Sequence, residues 1–175
     1  MKKLHNLTFM LGGASSGKSA CAEEIVNSAD RPKVYIATAQ AFDDEMRQKI
    51  AAHIAQRGDG WTTVEAPFDP AAVLRTQDSA HVVLLDCVTL WLTNVLLAGR
   101  DVAAEGDALL AALRACPCPV VVVSNEVGMG IVPDNALSRQ FRAAQGRINR
   151  QLAAQADCVV TVMAGLPLVL KGALP

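Results

Sequence analysis

The eight residues GGASSGKS, from Gly12 to Ser19, constrain this chain more than any other part of its sequence. They follow the short apolar stretch LTFML and contain three glycines, two of them adjacent, so they favour neither a helix nor a strand. They match the pattern G-x-x-x-x-G-K-[ST], in which Gly12, Gly17, Lys18 and Ser19 hold the fixed positions. The sequence predicts a flexible loop that ends in a lysine and a hydroxyl group.

The chemistry of this pattern is phosphate binding. Glycines let the backbone curl until successive N–H groups point at phosphate oxygens, and the following helix N-terminus adds partial positive charge. Lys18 supplies a full charge for the β- and γ-phosphates, and the Ser19 hydroxyl binds Mg²⁺. An accidental Gly-Ser turn is the alternative, but a strand pattern precedes the loop and a helix pattern follows it. A nucleoside triphosphate site, a P-loop, is predicted at Gly12, Gly13, Ala14, Ser15, Ser16, Gly17, Lys18 and Ser19.

Short apolar runs alternate with longer helical patterns along the rest of the chain. Strands are predicted at Leu7–Leu11, Val34–Ala37, Thr62–Glu65, Val82–Leu85, Val120–Ser124 and Cys158–Met163. Helices are predicted at Lys18–Ala29, Asp43–Arg57, Asp69–Arg75, Ala103–Arg114 and Leu137–Ala156. This alternation predicts one α/β domain over residues 1–175, of the P-loop NTPase type, with a mostly parallel central sheet flanked by helices. The segment Leu97–Asp107 is the predicted surface loop.

The composition argues against nucleic acid and membranes as partners and against a cysteine-based metal or redox site. The formal net charge is −1 and aromatic residues make up 4% of the chain, so no basic field or stacking platform for nucleic acid is expected. No run approaches the roughly 20 apolar residues of a membrane span, and a cytoplasmic protein is expected. The five cysteines are scattered and lack CxxC spacing, which favours buried thiols over a metal or redox site; they are Cys21, Cys87, Cys116, Cys118 and Cys158.

A P-loop needs a second metal-holding carboxylate at the end of a neighbouring strand. The run HVVLLD supplies one at Asp86, after four apolar residues. An ordinary strand-end aspartate at a turn is the alternative. With the P-loop present, Ser19 and Asp86 are the predicted Mg²⁺ ligands.

The segment DDEMRQKIAAHIAQR places two functional side chains on the apolar face of a predicted helix. At 100° per residue, His53 and Arg57 fall within the stripe formed by Met46, Ile50 and Ile54. One interpretation is a core histidine with an arginine extending to the edge. The other is that Arg57 contacts phosphates and His53 acts as acid, base or nucleophile, because neutral imidazole attacks phosphorus readily. The residues alone leave both interpretations open.

Two further segments carry polar residues. In SNEVGMGIVPDN, a buried strand ends at Asn125 and Glu126 and continues into a glycine-containing loop, which favours a substrate loop over an ordinary turn. In FRAAQGRINRQLAAQAD, Arg142, Arg147 and Arg150 lie on a helix, where such charges usually form a solvated face; a phosphate contact there is the less favoured alternative.

Together these segments resemble one known family, the bifunctional adenosylcobinamide kinase/adenosylcobinamide-phosphate guanylyltransferases of cobalamin biosynthesis. The resemblance covers nearly the whole chain, in the family's order. It rests on GGASSGKS, VYIATAQAFDDEM, RQKIAAHIAQR, WTTVEAP, LLDCVTLWLTN, SNEVGMGIVPDN, FRAAQGRINRQLA and AGLPLVLK. NEVGMGIVP is the most specific of these, because no general P-loop rule requires it.

The resemblance implies two reactions. In the first, the hydroxyl of the aminopropanol arm of adenosylcobinamide takes the γ-phosphate of ATP or GTP. In the second, a histidine attacks the α-phosphorus of GTP, releases pyrophosphate and carries GMP until adenosylcobinamide phosphate takes it, giving adenosylcobinamide-GDP. The family's histidine lies in an I-x-x-H-x-x-x-R setting, here Ile50 to Arg57, so the resemblance assigns this role to His53. Lys18 is the other predicted catalytic residue.

By position, the resemblance also implies a set of nucleotide contacts and an assembly. Family members form homotrimers, in which a helix of one subunit can reach a neighbour's site. Beyond the P-loop, the implied contacts are Ala37, Thr38, Ala39, Ile54, Ala55, Gln56, Arg57, Glu65 and Asp86.

The chain departs from the family at two positions. It has Ser15 and Gly58 where the family commonly has arginine and proline, and the first change removes a possible phosphate contact. Two other functions fit the P-loop: a plain small-molecule kinase with a structural His53, and a nucleotide-dependent switch. The second is disfavoured because the chain has no N-K-x-D motif for guanine.

Overall fold

This computed structural model describes residues 4–40, 44, 48, 57 and 60–175. The predicted helix Asp43–Arg57 therefore lies outside the described residues, apart from Asp44, Gln48 and Arg57. No described helix combines the length and the apolar character needed to cross a bilayer.

The molecule is built on one seven-stranded sheet with the order β3-β2-β4-β5-β1-β6-β7. The first six strands run parallel, and β7 pairs antiparallel with β6. Four of the parallel strands, β1, β4, β5 and β6, are buried along most of their length, which agrees with their continuously apolar sequences. The strands are β1 Leu7–Gly12, β2 Lys33–Ala37, β3 Trp61–Glu65, β4 Val82–Asp86, β5 Val120–Asn125, β6 Cys158–Met163 and β7 Leu166–Lys171.

Five described helices cover the sheet. Three of them begin at an aspartate or asparagine whose side chain accepts a hydrogen bond from a backbone N–H of the first turn: Asp69, Asp101 and Asn135. The helices are α1 Lys18–Asn27, α2 Pro70–Arg75, α3 Val88–Leu97, α4 Val102–Ala115 and α5 Ala136–Gln155.

Alternate strand residues enter two apolar layers. On one face of the sheet, Phe9 belongs to a cluster with Trp91 of α3 and Leu152 of α5. On the other face, Met10 belongs to a smaller cluster with Val26 of α1. Helix α1 therefore covers one side of β1, while α3, α4 and α5 cover the opposite side. The predicted α/β domain with a mostly parallel sheet is confirmed.

Three features differ from the sequence predictions. The segment Leu97–Asp107 is mostly helix, because α3 ends at Leu97 and α4 begins at Val102. Helix α3 itself was not predicted, since VTLWLTNVLL is apolar nearly all round and gives no amphipathic period. Strand β7 was not predicted either: all six of its residues are exposed and it contains Pro167, which an edge strand tolerates.

Candidate functional site

The P-loop joins the carboxyl end of β1 to the start of α1, as predicted. Gly17 precedes the helix with φ +91°, a left-handed conformation that side chains disfavour. A Cβ at Gly17 would lie 3.2 Å from the Cα of Gly165, and one at Gly12 would lie 2.7 Å from the carbonyl oxygen of Val162. Both glycines of the motif are therefore required by the packing of the loop.

Lys18 and Ser19 open helix α1 at this loop. The Lys18 side chain is buried, and its Nζ donates a hydrogen bond to the Gly13 carbonyl oxygen at 3.2 Å. This bond holds the ammonium group across the loop rather than out in solvent. The predicted charge and hydroxyl thus lie at the helix N-terminus, where an anion is favoured.

The turn between β6 and β7 packs against the P-loop. The Gly165 N–H donates to the Ser16 carbonyl oxygen at 2.9 Å, and the preceding Ala164 has φ 52°. Nothing in the local pattern of these residues indicated a site. The only sequence signal for them was the resemblance carried by AGLPLVLK.

Asp86 ends β4, where its register partners are Ala37 of β2 and Val123 of β5. Strand β5 lies between β4 and β1, so the carboxylate is not on the strand directly beside the P-loop strand as expected. It still lies at the edge of the sheet where the parallel strands end. Burial raises the pKa of the adjacent Cys87 thiol to about 12; the charge of Asp86 adds to this and that of Lys18 opposes it.

Thr38 fixes the backbone that follows Asp86. Its hydroxyl donates to the Cys87 carbonyl oxygen at 2.7 Å and accepts from the Cys87 N–H at 2.8 Å. Asn94 of α3 donates to the carbonyl oxygens of Thr38 and Pro67, both at 2.9 Å. Sequence reasoning missed Asn94. The nucleotide contact assigned to Thr38 stays a prediction, and in this structure its side chain is fully buried in these bonds.

Arg57 is buried, as its place on the apolar stripe predicted. Its guanidinium carbon lies 3.4 Å from the centroid of the Tyr35 ring, a cation–π contact. Glu23 of α1, which sequence reasoning missed, is also buried. Burial raises the pKa of the Glu23 carboxyl; the charge of Arg57 opposes this and that of Asp86 reinforces it. Glu23, Arg57 and Asp86 thus form a charged cluster together with the Tyr35 ring, beside the P-loop helix.

The remaining predicted contacts lie near this cluster or outside the described residues. Ala37 is the register partner of both Glu65 on β3 and Asp86 on β4, which brings these three residues to one edge. Ala39 is partly buried just beyond it, and Glu65 is exposed. His53, Ile54, Ala55 and Gln56 lie outside the described residues.

The cysteines agree in part with the prediction of buried thiols. Cys87, Cys118 and Cys158 are buried, while Cys21 and Cys116 are half-buried. The Sγ atoms of Cys116 and Cys118 lie 3.5 Å apart, and a hydrogen bond between these thiols lowers the pKa of Cys116.

The loop after β5 lies against the P-loop. The Glu126 N–H donates to the Gly12 carbonyl oxygen at 3.0 Å. Behind it, a buried polar network fastens β5 to α5: the Ser124 hydroxyl donates to the Asn149 side-chain oxygen, and Gln145 donates to both. The predicted substrate loop therefore starts at the phosphate-binding edge.

The predicted Mg²⁺ ligands fit the chemistry of that ion. A hydroxyl from Ser19 and a carboxylate from Asp86 are hard oxygen ligands, and Mg²⁺ is usually held by one or two such groups together with substrate phosphates and water. A cage of three or more His, Cys, Asp or Glu side chains does not occur among residues 4–40, 44, 48, 57 and 60–175.

A P-loop at the carboxyl edge of a mostly parallel sheet defines a P-loop nucleotide-binding domain. The model of the family described as cobinamide kinase / cobinamide phosphate guanyltransferase matches residues 8–170. The chain belongs to this family, which makes it an enzyme of the kinase and guanylyltransferase class.

Named relatives agree with this membership. The chain is 43% identical over 166 residues to the bifunctional adenosylcobalamin biosynthesis protein CobP of Pseudomonas aeruginosa, covering 93% of this chain and 96% of the relative. It is 41% identical over 183 residues to the bifunctional adenosylcobalamin biosynthesis protein CobU of Salmonella typhimurium, covering 94% of this chain and 99% of that one.

Solved structures support the fold. A protein from Pyrococcus horikoshii OT3 aligns with a TM-score of 0.57 at 10% identity, covering 98% of this chain and 88% of its own. An ATPase from a bacterial type III secretion system aligns with a TM-score of 0.55 at 13% identity, covering 94% of this chain and 57% of its own.

Proposed function

We propose that this enzyme phosphorylates adenosylcobinamide with ATP or GTP and then transfers GMP from GTP, through a covalent GMP–His53, to give adenosylcobinamide-GDP. The observation that carries the proposal is the family match over residues 8–170, joined to a P-loop whose Lys18 and Ser19 lie at the same sheet edge as Asp86. Adenosylcobinamide and its phosphate are the proposed substrates, and no nucleic acid takes part.

In the kinase step, the protein positions the reactants and neutralises the charge of the phosphates. The hydroxyl oxygen of the acceptor attacks the γ-phosphorus, the bond to the β-phosphate oxygen breaks, the hydroxyl proton is lost, and ADP or GDP leaves. Lys18 holds its charge beside the phosphates through its bond to Gly13. Mg²⁺ held by Ser19 and Asp86 supplies further charge neutralisation when bound.

The guanylyl step uses a histidine nucleophile. A neutral imidazole nitrogen of His53 attacks the α-phosphorus of GTP and pyrophosphate leaves; a phosphate oxygen of the acceptor then attacks the same phosphorus and frees His53. Arg57, four residues after His53, supports this assignment because it is buried next to Tyr35, Glu23 and Asp86 rather than extended into solvent. A buried guanidinium there can neutralise phosphate charge.

We also propose a homotrimer. The family resemblance implies it, and the exposed strand β7 supports an association surface because Leu166, Leu168 and Leu170 are all exposed. Antiparallel addition to β6 leaves one edge of β7 without a described partner strand.

The test is to incubate the protein and Mg²⁺ with GTP labelled at the α-phosphate and, separately, at the γ-phosphate. After denaturation, an α-label that is acid-labile, base-stable and absent from His53→Ala supports GMP–His53. A His53→Ala variant that keeps γ-phosphate transfer to adenosylcobinamide separates the two reactions. A folded wild-type protein that binds GTP but never retains label contradicts the covalent step and leaves a plain small-molecule kinase.

A further inference from the structure

Helix α5 carries an unusual set of charges. Its 20 residues include four arginines, Arg139, Arg142, Arg147 and Arg150, and no aspartate or glutamate. Like charges three or four residues apart on a helix repel each other, and here no acidic neighbour on the helix offsets them. The chain as a whole has a net charge of −1, so this concentration of positive charge is local.

These arginines face one open pocket of about 600 Å³, which they line together with Glu126 and Gly128. The pocket lies between α5 and the loop that follows β5. Among the described residues that line it, Glu126 is the single carboxylate, and that group already accepts a hydrogen bond from the Gly128 N–H. Four guanidinium groups against one carboxylate leave the pocket strongly positive.

Two of the four arginines hold the loop in place. Arg139 donates to the carbonyl oxygens of Pro133 and Asp134 at 2.9 and 2.7 Å. Arg142 donates to the carbonyl oxygens of Gly128 and Ile131. These bonds give two of the four arginines on the helix a structural role.

The other two have no such role. In the part of the chain that the structure describes, Arg147 and Arg150 make no hydrogen bond and no ion pair. They lie three residues apart, on neighbouring turns of the same helix, so both guanidinium groups can reach one anion. Guanidinium groups bind phosphate through paired hydrogen bonds.

The pocket is fixed next to the nucleotide site. Glu126, which lines the pocket, donates its N–H to the Gly12 carbonyl oxygen of the P-loop. The buried network of Ser124, Gln145 and Asn149 holds α5 against the same end of β5. A ligand in the pocket therefore borders the phosphate-binding edge without using the P-loop itself.

We propose that this pocket binds the phosphate monoester of the phosphorylated acceptor through Arg147 and Arg150. The inference rests on the proposed function, in which the second reaction needs an acceptor that carries such a group. The same chemistry could serve the polyphosphate tail of a nucleotide, so the experiment compares the two ligands.

The probe is 1-amino-2-propanol O-phosphate, the phosphorylated end of the acceptor, added to the full chain and followed by phosphorus NMR titration. The test variant combines Arg147→Gln with Arg150→Gln. Its matched control combines Arg75→Gln with Arg114→Gln, which removes the same charge from two exposed positions on other helices. Circular dichroism melting checks that each variant folds.

We expect the test variant to bind the monoester at least about tenfold more weakly, since each charge-assisted hydrogen bond lost weakens binding severalfold, while its GTP affinity stays within about twofold of wild type. Unchanged monoester binding overturns the assignment. A fall in GTP affinity equal to or larger than the fall for the monoester overturns it in favour of a polyphosphate site. An equal loss of monoester affinity in the control variant also overturns it, because the effect then comes from the overall charge of the protein rather than from this pocket. Because the titration needs no turnover, absence of a GMP–histidine would contradict the proposed function without affecting this result.

Discussion

At Gly17 the backbone takes φ +91°, and the space beside its Cα is already filled by Gly165. At Gly13, in the same loop, a Cβ would meet no atom within 4 Å. The two glycines, separated by three residues, therefore differ in their constraints. Gly17 is required by backbone geometry and packing, whereas Gly13 is free of packing constraints.

Gly17→Ala should destabilise the protein by about 1–2 kcal/mol from the left-handed backbone conformation alone, with the contact to Gly165 adding to this. Chemical denaturation measures the free energy of unfolding. Gly13→Ala is the control and should leave this free energy nearly unchanged. Equal effects of the two substitutions would contradict the packing argument.

Glu23 makes stability depend on pH. Because burial raises its folded-state pKa above the ordinary value of 4.5, the unfolded state loses the carboxyl proton first as pH rises. The contribution of Glu23 to the free energy of unfolding is therefore full below that value and is lost as pH rises through the folded-state pKa. Glu23→Gln should remove this loss, so the variant should gain stability relative to wild type as pH rises above 4.5. Glu24→Gln, which changes the exposed neighbour, should not alter the pH dependence of the free energy of unfolding. If the curves of unfolding free energy against pH run parallel for wild type and Glu23→Gln, the idea is refuted.

The elements that meet at the site are held together by Thr38, which joins the end of β2 to the end of β4, and by Asn94, which joins the chain just after β2 and the chain just after β3 to α3. Asp86 lies on the chain just before the anchored peptide, so its direction depends on this junction. The position of the carboxylate is thus a property of three elements rather than of one loop.

Thr38→Val keeps the shape of the side chain and leaves the buried Cys87 N–H without its acceptor. We expect a loss of about 1–3 kcal/mol in the free energy of unfolding. Thr76→Val is the matched control, because the Thr76 hydroxyl is exposed and its hydrogen bonds are local: it donates to the Val73 carbonyl oxygen and accepts from the Gln77 side-chain amide. The two losses are compared by urea denaturation, and a similar small loss at both positions would count against the junction.

Sequence patterns predicted the elements whose signal is local. The P-loop can be recognised from its own eight residues, and β4 and β5 can be recognised from their continuous apolar runs. Helix α3 lacks a polar face and β7 has no buried face, so neither produces a period. The approach of Glu23 to Arg57 and Asp86 joins α1, β4 and a distant residue; no pattern within one segment contains it.

At the scale of the whole molecule, strand β7 closes one edge of the sheet with a row of exposed leucines. Leu166, Leu168 and Leu170 alternate along the strand and so project from one face. In the proposed trimer, this row of leucines packs against a neighbouring subunit.

Leu168→Lys should shift the assembly towards monomers by placing a charge in the buried contact, with little effect on the melting temperature of the subunit because Leu168 is 62% exposed. Sedimentation velocity measures the change. Leu97→Lys is the control, since Leu97 is 65% exposed at the end of α3. An unchanged sedimentation coefficient in Leu168→Lys would place the subunit contact elsewhere.

The position of β1 has a consequence for synthesis. Its two neighbours, β5 and β6, begin at Val120 and Cys158, and the turn at Gly165 supports the loop that β1 carries. During synthesis, β1 must therefore wait for strands made well after it before its hydrogen bonds can form. The nucleotide site, although its P-loop is made before these strands, is completed only when β5, β6 and the turn at Gly165 have emerged, so a nascent chain cut short before β6 has no finished cradle with which to capture a triphosphate.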